Sequence, residues 1–360
     1  YGMHEGIGMV RSTERIRTMG SASSLRTPVC DLLDCDVPVV QAGMGGVARS
    51  ELVAAVANAG GYGILGMVRE SPELILQEIA TVREHTERPF GVNLIPFGTD
   101  PTLLDEELAA CFEARIHSLC FFWTVRPELV RRAKTAGCRV LYQVGTLADA
   151  RAAEQAGADI VICQGVEAGG HVHGTVSSLV LLPQVASVLS IPVLGSGGFA
   201  TGGGLVAALA LGAQGIHCGT AFLATRESYA HDFHKRRVVE ASSGDTVHSD
   251  VFAINWPAGS PVRTLVNSVT MAYRDNLWGH GPNDFPREVI GHEGQRLIYR
   301  FSTDSPLRNM TGDFEAMAPF AGQACGLIDD ICSAGERLRR IVGEAETIMV
   351  QRCGTLPPAA

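Results

Sequence analysis

The chain has 360 residues, 46% of them hydrophobic and 19% charged, with a formal net charge of −9. That is enough apolar material for one large domain, and its charge is too dispersed for a disordered chain. The acidic balance opposes a nucleic-acid partner, which needs a basic face, and no run of roughly 18 apolar residues is long enough to span a membrane.

Residues 1–26 are Ser-, Arg- and Gly-rich, lack the apolar core of a signal peptide, and read as a leader segment that need not be ordered. After them a unit recurs: a short apolar strand, a turn, an amphipathic helix and a glycine stop. The strands are expected at Pro38–Ala42, Tyr62–Gly66, Phe90–Ile95, His117–Phe122, Arg139–Val144, Asp159–Gln164, Pro192–Ser196 and Gly215–Thr220. Each is continuous rather than alternating, as expected where both faces of a parallel sheet are covered. Helical periodicity fills the gaps, for example Glu51–Ala59, Pro72–His85, Pro127–Ala136 and Leu147–Ala156. Ser71-Pro72 predicts a capped helix start. Gly60, Gly137, Gly157 and Gly212 fall where a left-handed residue turns a helix into the next strand.

Eight such units point to an α/β fold, a (β/α)8 TIM barrel, over a doubly wound open sheet or a solenoid. Beyond Glu227 the rhythm stops. Residues 227–310 are rich in Pro, Gly, Asn and Asp and contain Trp256 and Trp278, which suggests an inserted cap for substrate. Helical patterns resume from Gly312, including Glu336–Met349. The barrel is therefore expected to comprise 27–226 and 311–360. Ten scattered cysteines without a C-x-x-C pair read as buried hydrophobes in a reducing cytoplasm.

Barrel sites collect at the C-terminal ends of the strands, with phosphate often held after strands 7 and 8. Here those ends read Gly195-Ser196-Gly197-Gly198-Phe199 and His217-Cys218-Gly219-Thr220. Glycines let backbone N–H groups approach an anion, so the pair predicts a phosphate cradle. Strand 6 leads to Glu167-Ala168-Gly169-Gly170-His171-Val172-His173, which offers His171 as a general base and His173 as a weaker candidate. Asn93 and Gln143 at strand ends suit the edge of a heterocycle that both donates and accepts hydrogen bonds. His231 and His234 share a helical face but lack a third ligand at suitable spacing, so no metal is expected.

These residues carry a resemblance. Val39 to Arg226 resembles the nitronate monooxygenase (2-nitropropane dioxygenase-like) family. The matching motifs are Gln41-Ala42-Gly43-Met44, Asn58-Ala59-Gly60-Gly61, Phe90-Gly91-Val92-Asn93-Leu94, the Glu167–His171 loop, Gly195–Phe199 and Gly219–Thr225, with a weaker match at Ala321-Gly322-Gln323. The resemblance implies FMN, its phosphate on Gly197, Gly198, Gly219 and Thr220. Gly43, Met44, Asn93, Gln143, Gln164 and Gly169 would line the rest of the cofactor, and His217 and Cys218 would contribute backbone. It also implies His171 as the catalytic base in oxidation of alkyl nitronates by O2 to carbonyl compounds and nitrite. The alternative is an NAD(P)H-dependent FMN reductase acting on quinones or enoyl thioesters. Some of those relatives carry a lysine where this chain has Gln143. The expected partners are a small-molecule substrate and O2, with no nucleic acid and no membrane, in a monomer or homodimer.

Overall fold

The computed structural model describes residues 25–353; most of the proposed leader lies outside them. Eight parallel strands close into a barrel: β1 (Val39–Gln41), β2 (Tyr62–Gly66), β3 (Gly91–Leu94), β4 (Ser118–Phe122), β5 (Arg139–Val144), β6 (Ile160–Gln164), β8 (Val193–Ser196) and β9 (Ile216–Cys218). The two-residue β7 (Gly170–His171) stands outside the ring. Closure is made by β9 on β1, with Val40 beside His217 and Gln41 beside Cys218. The strands match the apolar runs, each shortened at its ends by at most two residues.

Helices α2 (Ser50–Asn58), α3 (Pro72–His85), α4 (Pro101–Glu113), α5 (Pro127–Thr135), α6 (Leu147–Ala156), α7 (Ser178–Ala186) and α8 (Gly202–Ala210) connect successive strands. The Ser71 hydroxyl accepts the Leu74 N–H at 3.3 Å, so α3 is capped where Ser-Pro predicted. Gly60, Gly137, Gly157 and Gly212 hold φ between 83° and 97°, the left-handed region in which an L side chain is strained. A short α1 (Pro28–Leu33) plugs the N-terminal mouth of the barrel. Its Val29, Cys30 and Leu33 pack with Val40, Ile64, Leu141, Ile162 and Leu194 of the barrel interior. With the N-terminal mouth closed by apolar packing, the barrel interior is left to open at its C-terminal face.

Beyond α9 (Thr220–Leu223) the chain leaves the barrel pattern. It forms α10 (Asp232–Glu240), β10 (Thr246–Ser249), β11 (Val262–Leu265), α11 (Ser268–Ala272), and the antiparallel β12 (Val289–Glu293), β13 (Arg296–Tyr299) and β14 (Met310–Gly312). The loop-rich composition of this stretch therefore conceals two small sheets. One correction concerns the return of helix: residues 313–333 form two 3-10 turns and connecting chain, and the long closing helix α12 begins only at Ala334. Gly312 sits at φ 129° in a strand, which no helical residue can do. α12 packs on α8, where Gly202 leaves no room for a side chain beside the α12 backbone at Ala345. Nine cysteines within the described residues are buried free thiols. No helix among the described residues is long and apolar enough to cross a membrane.

Candidate active site

A cavity of about 520 Å3 opens on the C-terminal face of the barrel, within the roughly 300–1,000 Å3 usual for cofactor and substrate sites. Gly43, Met44, Asn93, Gln143, Gln164, Gly169, His171, Gly197, Gly198, His217, Gly219 and Thr220 all line it. Cys218 does not. Its side chain is buried in the hydrophobic core, and its carbonyl accepts the Ala42 N–H at 2.9 Å in the barrel seam.

One wall is made by the glycine loops. Gly197 and Gly198 have φ of 87° and 81°, and a Cβ on Gly197 would stand 2.9 Å from the Gly165 carbonyl oxygen. A Cβ on Gly43 would run into the Asn93 side chain. The C-terminal segment reinforces this wall. The Gly322 N–H donates to the Thr220 hydroxyl at 3.0 Å, and the Gln323 N–H donates to the Glu167 carbonyl at 3.0 Å. Gly169 has no space for a Cβ because the backbone of Ala321 and Gly322 lies on it. The Ala321-Gly322-Gln323 motif thus fixes both the strand-9 loop and the strand-6 loop.

The strand-6 loop is held from three sides. β7 pairs with β11, setting His171 beside Val262 and Gly170 beside Arg263. The Gln164 amide donates to the His171 carbonyl at 2.9 Å and accepts the His173 N–H at 3.3 Å. Both ends of Gln164 are therefore spent on shaping the loop that carries His171. His173 lies behind that loop, not on the cavity wall. Its Nε2 is 3.1 Å from Asp149, and its ring centroid is 4.8 Å from that of Trp123. The His173 contact holds the Asp149 carboxyl below its usual range, with the Thr146 hydroxyl bond adding to the effect.

His171 projects into an aromatic enclosure. Its ring is 3.8 Å from Trp256 and 6.0 Å from both Trp123 and Phe320, centroid to centroid. Its Nε2 is buried without a hydrogen-bond partner. Desolvation, reinforced by the nearby Arg69 charge, pushes its pKa down to about 3. The imidazole is consequently neutral at pH 7 and holds an open lone pair. His217 shares this character. Its Nδ1 lies 3.1 Å from the Ser196 hydroxyl, its Nε2 has no partner, and burial lowers its pKa to about 3.

These features fit an FMN-sized, polar-edged ligand. Gly197 and Gly198 hold left-handed backbone on the cavity wall, no Cβ fits at Gly197, and the Nε2 atoms of His171 and His217 wait for partners. A buried polar atom without a partner is costly, so it marks a place where a ligand completes the bonding.

Arg69, Trp123, Trp256 and Phe320 are site elements that the motifs did not reveal. Trp123 and Arg69 both have positive φ, 83° and 58°, rare for large side chains and concentrated at functional sites. Arg69 follows the end of β2, a position that a catalytic-face argument singles out; Trp256 comes from the insert and carried no signal of its own. His231 and His234 do not form a metal site. His231 caps α10 by accepting the Phe233 N–H, while His234 Nε2 bonds the Phe320 carbonyl at 2.9 Å. No group of metal ligands occurs among the described residues.

Known proteins share this architecture. The family model for nitronate monooxygenase matches residues 26–110 and 106–344. The chain is 39% identical over 353 residues to a (3aS,4S,5R,7aS)-5-hydroxy-7a-methyl-1-oxo-octahydro-1H-indene-4-carboxyl-CoA dehydrogenase of Mycobacterium tuberculosis, covering 90% of this chain and 97% of that protein. Among solved structures, FabK from Thermotoga maritima superimposes with a TM-score of 0.75 at 30% identity, covering 91% of this chain and 99% of that one. A nitroalkane oxidase from Streptomyces ansochromogenes gives a TM-score of 0.75 at 29% identity, covering 90% and 99%.

Proposed function

The chain belongs to the nitronate monooxygenase family of oxidoreductases, and from that premise we propose that it is an FMN-dependent enzyme in which His171 removes a proton from an acidic carbon. The observation that carries this reading is the neutral His171 imidazole, its Nε2 unpartnered, on the same cavity as the glycine cradle. Gly197, Gly198, Gly219 and Thr220 would hold the FMN phosphate, while Gly43, Met44, Asn93, Gln143 and Gly169 would line the remainder. When bound, FMN supplies the electron acceptor.

The protein's own contribution is a base, a dry wall and a rigid loop. Ile95, Phe122, Trp123 and Trp256 form an apolar cluster beside the cavity and exclude water from the imidazole. Gln164 and β11 fix the loop, so His171 is oriented before substrate arrives. A neutral imidazole is a base suited to a carbon whose anion is delocalised onto electronegative atoms, so the substrate we propose is an activated carbon acid.

Alkyl nitroalkanes and their nitronates meet that requirement, and oxidation with O2 to a carbonyl compound and nitrite is the activity we assign. The family match and the nitroalkane oxidase likeness support it. A second reading, dehydrogenation of a coenzyme A thioester, is favoured by the 39% identity to a CoA-thioester dehydrogenase over 97% of its length. Residues 227–310, which supply Trp256, Glu293 and Arg296 to the cavity, are the segment we propose to select between such substrates.

The test is anaerobic addition of propyl nitronate, butyryl-CoA and NADH, each to a separate sample of FMN-loaded enzyme, following flavin absorbance. Loss of the oxidised spectrum with propyl nitronate supports the first reading, and with butyryl-CoA the second. Reduction by NADH alone contradicts both.

A further inference from the structure

Arg69 lines the cavity as a positive charge that its surroundings leave open. Around it, Arg49 is paired with Glu70 at 2.7 Å, and Arg296 with Glu293 at 2.6 Å and Asp304 at 2.7 Å. Among the described residues, no carboxylate lies within ion-pair distance of Arg69. Its Nη1 donates to the Asn255 carbonyl, and its guanidinium carbon lies 4.7 Å from the Trp256 ring centroid. Arg263, likewise without an acid, is satisfied in another way, by the Val166 carbonyl and the Thr246 hydroxyl. A guanidinium carries five N–H donors, so most of those on Arg69 remain for a ligand.

The nearby acids are committed elsewhere. Asp304 also accepts the Ser302 hydroxyl, and Glu70 is held by Arg49. Glu107 is fully buried against the backbone of Arg69 and Glu70, and burial pushes its pKa up to about 8, so it is largely neutral at pH 7. A partly desolvated, unpaired cation on a left-handed backbone is an arrangement a protein tolerates where something else completes it.

Position identifies the ligand. Trp256 touches both Arg69 and His171, so guanidinium and imidazole flank one indole. A carbon acid hydrogen-bonded at its acidic carbon on one side and at its oxygen on the other spans roughly 8 Å between the two nitrogens. The diphosphate of a coenzyme A chain lies much farther from its reacting carbon and does not suit this place.

We infer that Arg69 holds the planar oxyanion, nitronate or enolate, that forms when His171 deprotonates the substrate. The inference rests on the carbon-acid reading above. In the step, the C–H bond breaks and its proton passes to the free imidazole nitrogen. The electron pair left on carbon shifts onto the conjugated oxygen, which accepts N–H bonds from Arg69. No electron leaves the substrate, so the step is separable from oxidation.

That separability sets the test: wash-out of the acidic protons into D2O, followed by proton NMR on the FMN-loaded enzyme without oxygen, with 1-nitropropane and butyryl-CoA as probes. Exchange of the first identifies a nitronate as the anion, and exchange of the second an enolate. Arg69→Ala should slow exchange by roughly 10²-fold, in the range found when an oxyanion donor is removed. Arg69→Lys should fall between, and added guanidinium ion should restore Arg69→Ala by tenfold or more. Wild-type exchange by Arg69→Ala while His171→Ala is inactive would overturn the role of Arg69 and leave the base in place. A slow Arg69→Ala that guanidinium does not rescue, with altered tryptophan fluorescence, would also overturn it, because the residue would then only support Trp256. Absence of exchange by the wild-type enzyme on both probes would remove the carbon-acid reading and the inference together.

Discussion

The two walls of the cavity are built on opposite principles. The wall formed by the β8 and β9 loops works through missing side chains: Gly197, Gly198 and Gly219 present backbone to the cavity, and neighbouring backbone forbids a Cβ at Gly197. The rest of the lining around His171 works through large side chains: Arg69, Trp256 and Phe320 line the cavity with it, and Trp123 packs on the histidine from outside the lining. The first suits a ligand that stays, because rigid backbone donors need no rearrangement. The second suits a ligand that changes, because substituting side chains alters polarity, reach and shape without disturbing the barrel.

The largest effect expected from breaking this division is at the base. His171→Ala should retain FMN, since the glycine wall is untouched, and should slow turnover of a neutral nitroalkane by roughly 10² or more; steady-state rates with the flavin content measured in parallel check it. Gly197→Val attacks the other wall. A side chain at φ 87°, pressed against the Gly165 carbonyl, introduces strain of about 1–3 kcal/mol; relief of that strain by moving the loop off its binding geometry should cost FMN affinity by roughly 5- to 150-fold. Fluorescence titration with FMN reads that loss, while His171 chemistry in the fully loaded variant should survive.

Trp256→Ala sharpens the comparison through pH. In the wild type, burial keeps His171 neutral down to about pH 3, so protonation of the base should not limit kcat/KM between pH 5 and 8. Removing the indole admits water and lets the pKa rise toward its ordinary value near 6.5. Below that value the base is protonated, so the variant should lose roughly tenfold of its activity at pH 5.5 and little at pH 8. A pH profile superimposable on the wild type would show that Trp256 does not desolvate the imidazole.

The remaining prediction concerns stability. Glu107 has a folded-state pKa raised to about 8 by burial, so the unfolded chain releases that proton at a lower pH than the native state. Native stability is therefore lost as pH rises from the ordinary carboxyl range toward 8. Glu107→Gln has no proton to lose, and its Tm should exceed that of the wild type at pH 9 while differing little at pH 5.

The legibility of the molecule follows the same division. Continuous apolar strands and helix-ending glycines are local signals, so all eight barrel strands and the Gly60, Gly137, Gly157 and Gly212 junctions could be read in order. The glycine wall was readable for the same reason: each loop is contiguous and its residues act through backbone. The opposite wall is assembled by tertiary contact. Nothing around Trp256 announces that it will lie against a histidine 85 positions earlier. A bulky Trp123 at φ 83° defies the usual preference of that backbone region for glycine. Gln164 lines the cavity as expected, but its bonds to the His171 and His173 backbone depend on a fold the sequence does not spell out. The stretch 313–333 carries helix-forming residues, but Thr220 and Glu167 bind Gly322 and Gln323 at the start of a 3-10 turn, and the chain there forms only short turns.

The central claim is that His171 takes a carbon-bound proton in a flavin cavity. Its most direct test is the rate of anaerobic flavin reduction by 1-nitropropane, protonated or deuterated at the acidic carbon, in wild-type enzyme and His171→Ala. The account predicts a flavin signal that fades in the wild type, more slowly with the deuterated substrate, and persists in the variant. Equal rates in both proteins, without an isotope effect, would contradict it.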